Sequence, residues 1–324
     1  MKTIIGAVCA LALSVAAVTG AHAAYPERPI TLVIGYTAGG PTDVVGRFLA
    51  QGLEKELGQT VVVENRPGAN AVVALQYVRR APADGYTLYL GSSGTLSIEP
   101  VYKKRVEFDV LKDLTPVGLV ASYPYLLVVP GSSPYKTTQE LIEGAKNSPQ
   151  GLSYASAGNG AVNHLAGEWF SSATQTNMTH IPYKGDSAAI ADLSGGRVDM
   201  AFLSVIAATP LMESGRMRAL ALAARAPSVV APGLDTVENE AGIEGFAAEP
   251  WNGVLAPAGL PEDVTLKLNQ AINNVMSTEE AKAKLLTLGQ TPFSGTPKDF
   301  AKHIETQTEN WRTLIDTAGI ERID

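Results

Sequence analysis

Beyond residue 24 two patterns alternate along the chain. Ile30–Ile34 is a short apolar run, and Asp43–Leu57 then carries apolar residues at 44, 45, 48, 49, 53 and 57, the spacing of one helical face. Val61–Val63 predicts the next strand, Ala71–Val78 a helix and Tyr86–Leu90 a third strand. A second series starts near Tyr125. It runs strand Leu126–Val129, helix Thr138–Lys146, strand Leu152–Ala155, helix Val162–Ser172 and strand Thr179–Pro182. Helix Ser187–Ser194, strand Val198–Leu203, helix Ile206–Ser214 and strand Arg218–Ala223 complete it. Strands that are apolar almost throughout are buried on both faces. The predicted fold class is therefore α/β, with mainly parallel sheets joined by right-handed helical crossovers.

The C-terminal part reads as helical. Pro261 opens Val264–Met276, Thr278 caps a stretch to Leu288, and Pro297 starts a last helix whose Phe300, Ile304, Trp311 and Ile315 share one face. Hinges are expected at Val120–Tyr125 and near Gly242–Trp251. Two crossings return the tail to the first unit. The predicted organisation is a discontinuous domain of residues 24–122 plus 248–324 and a second domain of residues 123–247, with a cleft between them.

Residues 1–23 read as a cleavable signal peptide. Lys2 supplies the positive start, Ile4–Val18 is apolar and uncharged, and Ala21-His22-Ala23 is a small-x-small cleavage site. The run is too short for a membrane span, which needs ~20 apolar residues. The expected location is the periplasm. Cys9 is the one cysteine of the 324 residues, so neither a disulfide within the chain nor a Cys-ligated zinc is available. A hydrophobic fraction of 45% supports a sizeable core. The net charge of −7, more negative once Lys2 is removed, disfavours nucleic acid or an anionic membrane as partner.

Three loops follow predicted strands. In Gly35-Tyr36-Thr37-Ala38-Gly39-Gly40-Pro41-Thr42-Asp43 the glycines let a ligand approach the backbone, Thr42 or Asp43 can cap the helix, and free amides at the helix start favour an anion. Tyr154–Ala161 repeats strand, glycine-rich loop and helix, with Ser156 and Asn163 able to add polar contacts. Gly91–Thr95 sets Ser92 and Ser93 at a strand's carboxyl end, where α/β folds place ligands. By spacing alone, the two glycine-rich loops also fit ordinary βα turns. The run Gly158-Asn159-Gly160-Ala161-Val162-Asn163 lacks the last glycine of a dinucleotide fingerprint. His164 reads as a capping or core histidine or a ligand contact, Lys184 as a solvated lysine or a cation for the ligand, and Trp251 as an interdomain aromatic or the wall of a site.

Enzyme signatures are missing from the sequence. There is no Gly-x-Ser-x-Gly, no Gly-Lys-Ser/Thr and no His-Glu-x-x-His, and no pair among His164, His180 and His303 has metal-ligand spacing. Capture rather than catalysis is expected, without cofactor, metal or catalytic residue.

A set of stretches stands in order along residues 25–320. It comprises Gly39-Gly40-Pro41-Thr42-Asp43, Glu64-Asn65-Arg66-Pro67-Gly68-Ala69, Asp84-Gly85-Tyr86-Thr87-Leu88, and Ser156-Ala157-Gly158-Asn159-Gly160 with His164-Leu165-Ala166-Gly167-Glu168. Pro182-Tyr183-Lys184-Gly185, Gly196-Arg197-Val198-Asp199 and Leu255-Ala256-Pro257-Ala258-Gly259 complete it. The set resembles the Bug-type periplasmic receptors of tripartite tricarboxylate transporters. That resemblance implies a two-domain Venus-flytrap fold with a small carboxylate or dicarboxylate in the cleft, an aromatic one such as terephthalate included. It also implies delivery to a membrane permease of large and small subunits.

The loop after the first strand, Tyr36–Asp43, and the second domain's Ser156–His164 are the implied ligand contacts. The candidate site residues are Tyr36, Thr37, Ala38, Gly39, Gly40, Thr42, Asp43, Ser92, Ser93, Ser156, Ala157, Gly158, Asn159, Gly160, Asn163, His164, Tyr183, Lys184, Leu203, Ser204 and Trp251. Helix-start amides from both domains are expected to grip the carboxylate. Two positions depart from the family pattern: Ala38 stands where many members have proline, and Leu203 where many carry an acid. Without that acid, an anionic or partly apolar ligand is expected rather than an amino acid. The chain is expected to act as a monomer. The rival readings are a periplasmic sensor feeding a signalling partner, and an exported hydrolase using Ser156 with His164.

Overall fold

The computed structural model describes residues 25–183 and 185–324. The signal-peptide reading, with Lys2 and Cys9, and the reading of Lys184 lie outside the described residues. The first series is β1 (Ile30–Ile34), α1 (Pro41–Leu57), β2 (Val61–Asn65), α2 (Val72–Val78) and β3 (Thr87–Ser92). A π turn over Gly94–Ile98 runs into α3 (Glu99–Tyr102), followed by α4 (Val110–Asp113) and β4 (Leu114–Ser122). The second series is β5 (Tyr125–Pro130), α5 (Thr138–Asn147), β6 (Leu152–Ser156), α6 (Val162–Thr174), β7 (Met178–Pro182), α7 (Asp186–Ser194), β8 (Met200–Ser204), α8 (Val205–Glu213) and β9 (Met217–Ala223). The remainder is α9 (Val237–Ala241), β10 (Trp251–Pro257), α10 (Glu262–Ser277), α11 (Glu279–Thr287), β11 (Thr291–Pro292) and α12 (Pro297–Thr317).

The strands form two sheets, one of order β11-β4-β10-β3-β1-β2 and one of order β7-β6-β8-β5-β9. Among the named strands, parallel pairing joins β1 with β2 and β3, and β6 with β7 and β8. β10 is antiparallel to β3 and β4, and β5 to β8 and β9. The sheets are thus mixed, each a parallel half joined to an antiparallel half. The reason is where the chain crosses. It passes between the sheets at Ser122–Tyr125 and returns between Ala223 and Trp251. Trp251 and Asn252 enter beside Ser122 and Ser92, and Tyr125 enters beside Ser204. Each crossing strand therefore starts at the carboxyl ends of the parallel strands and must run against them.

β4 and β10 escape the apolar pattern. β4 contains Pro116 and Gly118, and β10 opens with Trp251-Asn252-Gly253. Pro116 sits opposite Leu255 at a register shift, where a ladder tolerates a missing N–H. Val120–Ser122, read as hinge, form the end of β4. Gly253 is required by packing, since a Cβ there would lie 2.1 Å from the Phe300 ring on α12.

The first sheet buries Ile30, Leu32 and Ile34 against Val45, Leu49 and Leu53 of α1 and Leu268 and Ile272 of α10. Its other face buries Val33, Tyr89 and Leu255 against α2 and against Phe300 and Ile304 of α12. Further along α12, Trp311, Leu314 and Ile315 join the core of Leu127, Tyr154, Phe170 and Phe202 in the second sheet. The last helix, placed by its one apolar face, therefore bridges both lobes.

Candidate functional site

A cleft of about 910 Å³ lies between the lobes at the carboxyl ends of β1, β3, β6 and β8. Four helices begin at it: α1 with Pro41 and Thr42, α6 with Val162, α7 with Asp186 and Ser187, and α8 with Ile206 and Ala207. First-turn amides have no intrahelical partner, and each helix start carries about half a positive charge. Among the described residues lining the cleft, none is Lys or Arg, and Asp186 is the one acidic residue.

Of the candidate residues, Tyr36, Thr37, Ala38, Gly39, Gly40, Thr42, Ser92, Ser93, Ala157, Gly158, Asn159 and Ser204 line this cleft. In the first lobe Gly39 adopts φ +87°, a left-handed turn that aims the chain into α1. Its N–H donates to Asp43 Oδ2 at 2.9 Å. The same carboxylate accepts from Arg47 Nε at 2.9 Å and from Asn65 Nδ2 at 2.8 Å. Burial acts to raise the Asp43 pKa, but the Arg47, Gly39 and Asn65 hydrogen bonds outweigh it and hold the carboxyl below its ordinary value. Asp43 is thus a brace behind the loop, not a cleft group. Thr42 does not cap α1 either; the N-cap is Gly40, and Thr42 Oγ1 accepts from Asn252 Nδ2 at 3.2 Å. Tyr36 Oη lies 2.6 Å from Ser92 Oγ, which fixes the ring at the cleft wall.

The second lobe's loop differs. Ala157 N–H donates to Asn163 Oδ1 at 3.2 Å, Gly158 N–H to Ser156 Oγ at 3.1 Å and Gly160 N–H to His164 Nδ1 at 3.3 Å. These amides are therefore occupied within the protein, contrary to the expected open cradle. Ser156, Asn163 and His164 are buried beneath the loop, and Gly160 packs on the Tyr102 ring. Ser156 Oγ sits 2.6 Å from His180 Nε2, not against His164. The two imidazole rings lie 4.0 Å apart. Burial lowers His164 to about 3, with His180 adding to the effect, and lowers His180 to about 4, so both are neutral at pH 7.

Three further candidates point elsewhere. Tyr183 Oη donates to Asp192 Oδ2 of α7 at 2.6 Å, and neither residue lines the cleft. Leu203 is buried in the core with Leu126 and Val198, because alternation along β8 turns Ser204, not Leu203, to the cleft. Trp251 lines a different cavity.

Sequence reasoning missed Asp186, Tyr123, Tyr125, Asn70 and Ile206 as lining residues. Asp186 Oδ1 accepts from Asn163 Nδ2 at 3.1 Å, and burial raises its pKa against that bond's lowering effect. A signal for Asp186 was present: it follows Lys184-Gly185 and stands directly before the predicted helix Ser187–Ser194, the pattern used for the other loops. Ser204, 4% exposed, has an Oγ without a hydrogen-bond partner in the protein.

A family model described as Tripartite tricarboxylate transporter family receptor (TctC) matches residues 45–320. The chain belongs to this family. BugT of Bordetella pertussis is 33% identical over 296 residues, 91% of this chain and 90% of its own. The solved structure of R. palustris Rpa4515 with adipate superposes with a TM-score of 0.86 at 33% identity, covering 92% of this chain and 99% of that one. MatC (Rpa3494) from Rhodopseudomonas palustris with bound malate gives 0.80 at 28% identity, covering 90% and 100%. The two-domain α/β binding-protein fold of these TctC-type neighbours is the fold of this chain. Like them it is a binding protein rather than an enzyme. The buried Ser156 hydroxyl, turned to His180, leaves the hydrolase reading without an accessible nucleophile.

Proposed function

We propose that this receptor captures a small dicarboxylate with an apolar middle in the periplasm and passes it to a tripartite transporter permease. The observation that carries the proposal is the convergence of four helix starts on a cleft without described Lys or Arg. Such a wall binds negative charge through neutral dipoles, and release breaks no ion pair. Ser204 Oγ adds an unpaired hydroxyl, and Val44, Val162, Ile190 and Ile206 supply apolar surface for the ligand's chain. The adipate and malate of the two solved neighbours support the same class of ligand. Hydrogen bonds to a carboxylate contribute about 1.5–3 kcal/mol each. After the cost of ordering and closure, a few of them give roughly micromolar affinity, about −8 kcal/mol.

Calorimetric titration of the mature chain with adipate, malate, citrate and terephthalate tests capture. Saturable binding of at least one dicarboxylate is expected, and silence across the panel overturns the proposal. Uptake by a strain lacking the gene tests delivery. Intact uptake with lost ligand-induced transcription assigns the chain to a sensor instead.

A further inference from the structure

A second cavity, of about 480 Å³, shares no lining residue with the cleft. All three tryptophans of the chain stand around it: Trp169 on α6, Trp251 at the start of β10 and Trp311 on α12. The return crossover supplies Arg225, Glu244 and Glu249, and α12 adds His303. Three indoles from three elements meet here as an aromatic wall: Trp251 and Trp311 are core members whose edges reach the cavity, and Trp169 packs against the core while remaining partly exposed.

Two features show what the wall can take. Trp251 is 2% exposed, yet its Nε1–H has no hydrogen-bond partner in the protein, and neither has the buried Nε2 of His303, whose ring lies 4.9 Å from it. A buried donor without an acceptor costs free energy that a ligand oxygen recovers. Glu249 is half-buried and has neither a hydrogen bond nor a salt bridge with any described residue; Arg225, on the same wall, forms no ion pair with it within 4.0 Å. Burial raises the Glu249 pKa, against the lowering effect of Arg225, and lowers that of His303, which therefore stays neutral and does not repel a cation. Two acids against one arginine make the wall net negative, and aromatic faces attract cations.

We propose that this cavity is a second ligand site, for a small organic cation: a protonated or quaternary amine with an apolar shell and a hydroxyl or carbonyl oxygen. The ammonium lies beside Glu249, its methyl or methylene groups pack on the indoles, and the oxygen accepts from Trp251 Nε1. Anionic and cationic ligands then have separate places on one molecule. The site stands whether or not the cleft takes a dicarboxylate.

Choline is the probe, because it carries both the quaternary ammonium and the hydroxyl. Its carbon analogue 3,3-dimethyl-1-butanol has the same shape without the charge. Titration of the mature chain, read by tryptophan fluorescence and by calorimetry, is expected to saturate with choline and to be at least about tenfold weaker with the alcohol. Glu249→Gln is expected to weaken choline about tenfold, and Trp251→Phe to weaken it less while leaving the aromatic surface. Circular dichroism of each variant checks folding, and Glu249→Gln alone suffices if Trp251→Phe does not fold. No saturation with choline, equal binding of the alcohol, or an unchanged Glu249→Gln variant overturns the proposal.

Discussion

The two glycine-rich loops that face the cleft look alike in sequence and are held in different ways. The first lobe braces Gly39 with the Asp43 carboxylate, itself tied to Arg47 and Asn65. One amide is spent, and the brace is ionic. The second lobe spends Ala157, Gly158 and Gly160 on the neutral side chains of Asn163, Ser156 and His164. Three amides are spent, and the brace rests on two imidazoles kept uncharged by burial. A strand, glycines and a helix start therefore do not by themselves make an open anion cradle. What matters is whether side chains of the first helical turn reach back and claim the amides first.

Acidification is expected to separate the lobes most strongly. In the unfolded chain each histidine takes up a proton near pH 6.5. Folded, His164 and His180 do so only at about 3 and about 4. Below about pH 6.5 the unfolded state thus binds more protons, and stability falls steadily toward pH 4. Asp43, held below the usual carboxylate value, keeps bracing the first lobe until the pH drops further. Urea denaturation at stepped pH should show the decline. Hydrogen exchange should show residues 156–164 losing protection before residues 35–43, and simultaneous loss breaks the comparison.

Removing the braces comes next. Asp43→Ala is expected to cost about 3 kcal/mol, because several charge-assisted bonds go at once. Asn163→Ala is expected to cost about 2 kcal/mol through the orphaned Ala157 amide. If urea midpoints rank them in the opposite order, charge is not what distinguishes the two loops.

The smallest effect is expected inside the cleft. Asp186→Asn removes a negative group whose Oδ1 is held by Asn163. Adipate should then bind about tenfold tighter near pH 7, by calorimetry. The gap to the unsubstituted protein should close as pH falls, because burial raises the Asp186 pKa and protonation neutralises it. Weaker binding in the variant instead means that the ligand brings a hydrogen-bond donor to the second lobe.

Much of the fold was legible along the chain. The strand and helix series from Ile30 to Ala223 agrees with the observed elements to within one or two residues at their ends, because buried βα repeats write their period into the apolar positions. β4 and β10 were not legible. Their prolines, glycines and polar residues are tolerated by a register shift and by Phe300, a contact 47 residues beyond Gly253 that no local window contains. The site was legible to the same degree. Loops at strand ends could be named, but Leu203 against Ser204 is a choice of strand face, and Trp251 against Pro250 is the same choice at the hinge.

By itself the sequence determined the α/β class, the family, the two series and the loops that stand at strand ends, because these follow from periodicity and local turn chemistry. Only the tertiary structure decided which loop amides are claimed by side chains, that Asp186 joins the cleft while Leu203 does not, and that the three tryptophans meet around a second cavity. Hydrogen bonds and cavities depend on where distant segments come to rest, and that is set by packing across the two sheets and the helix that bridges them.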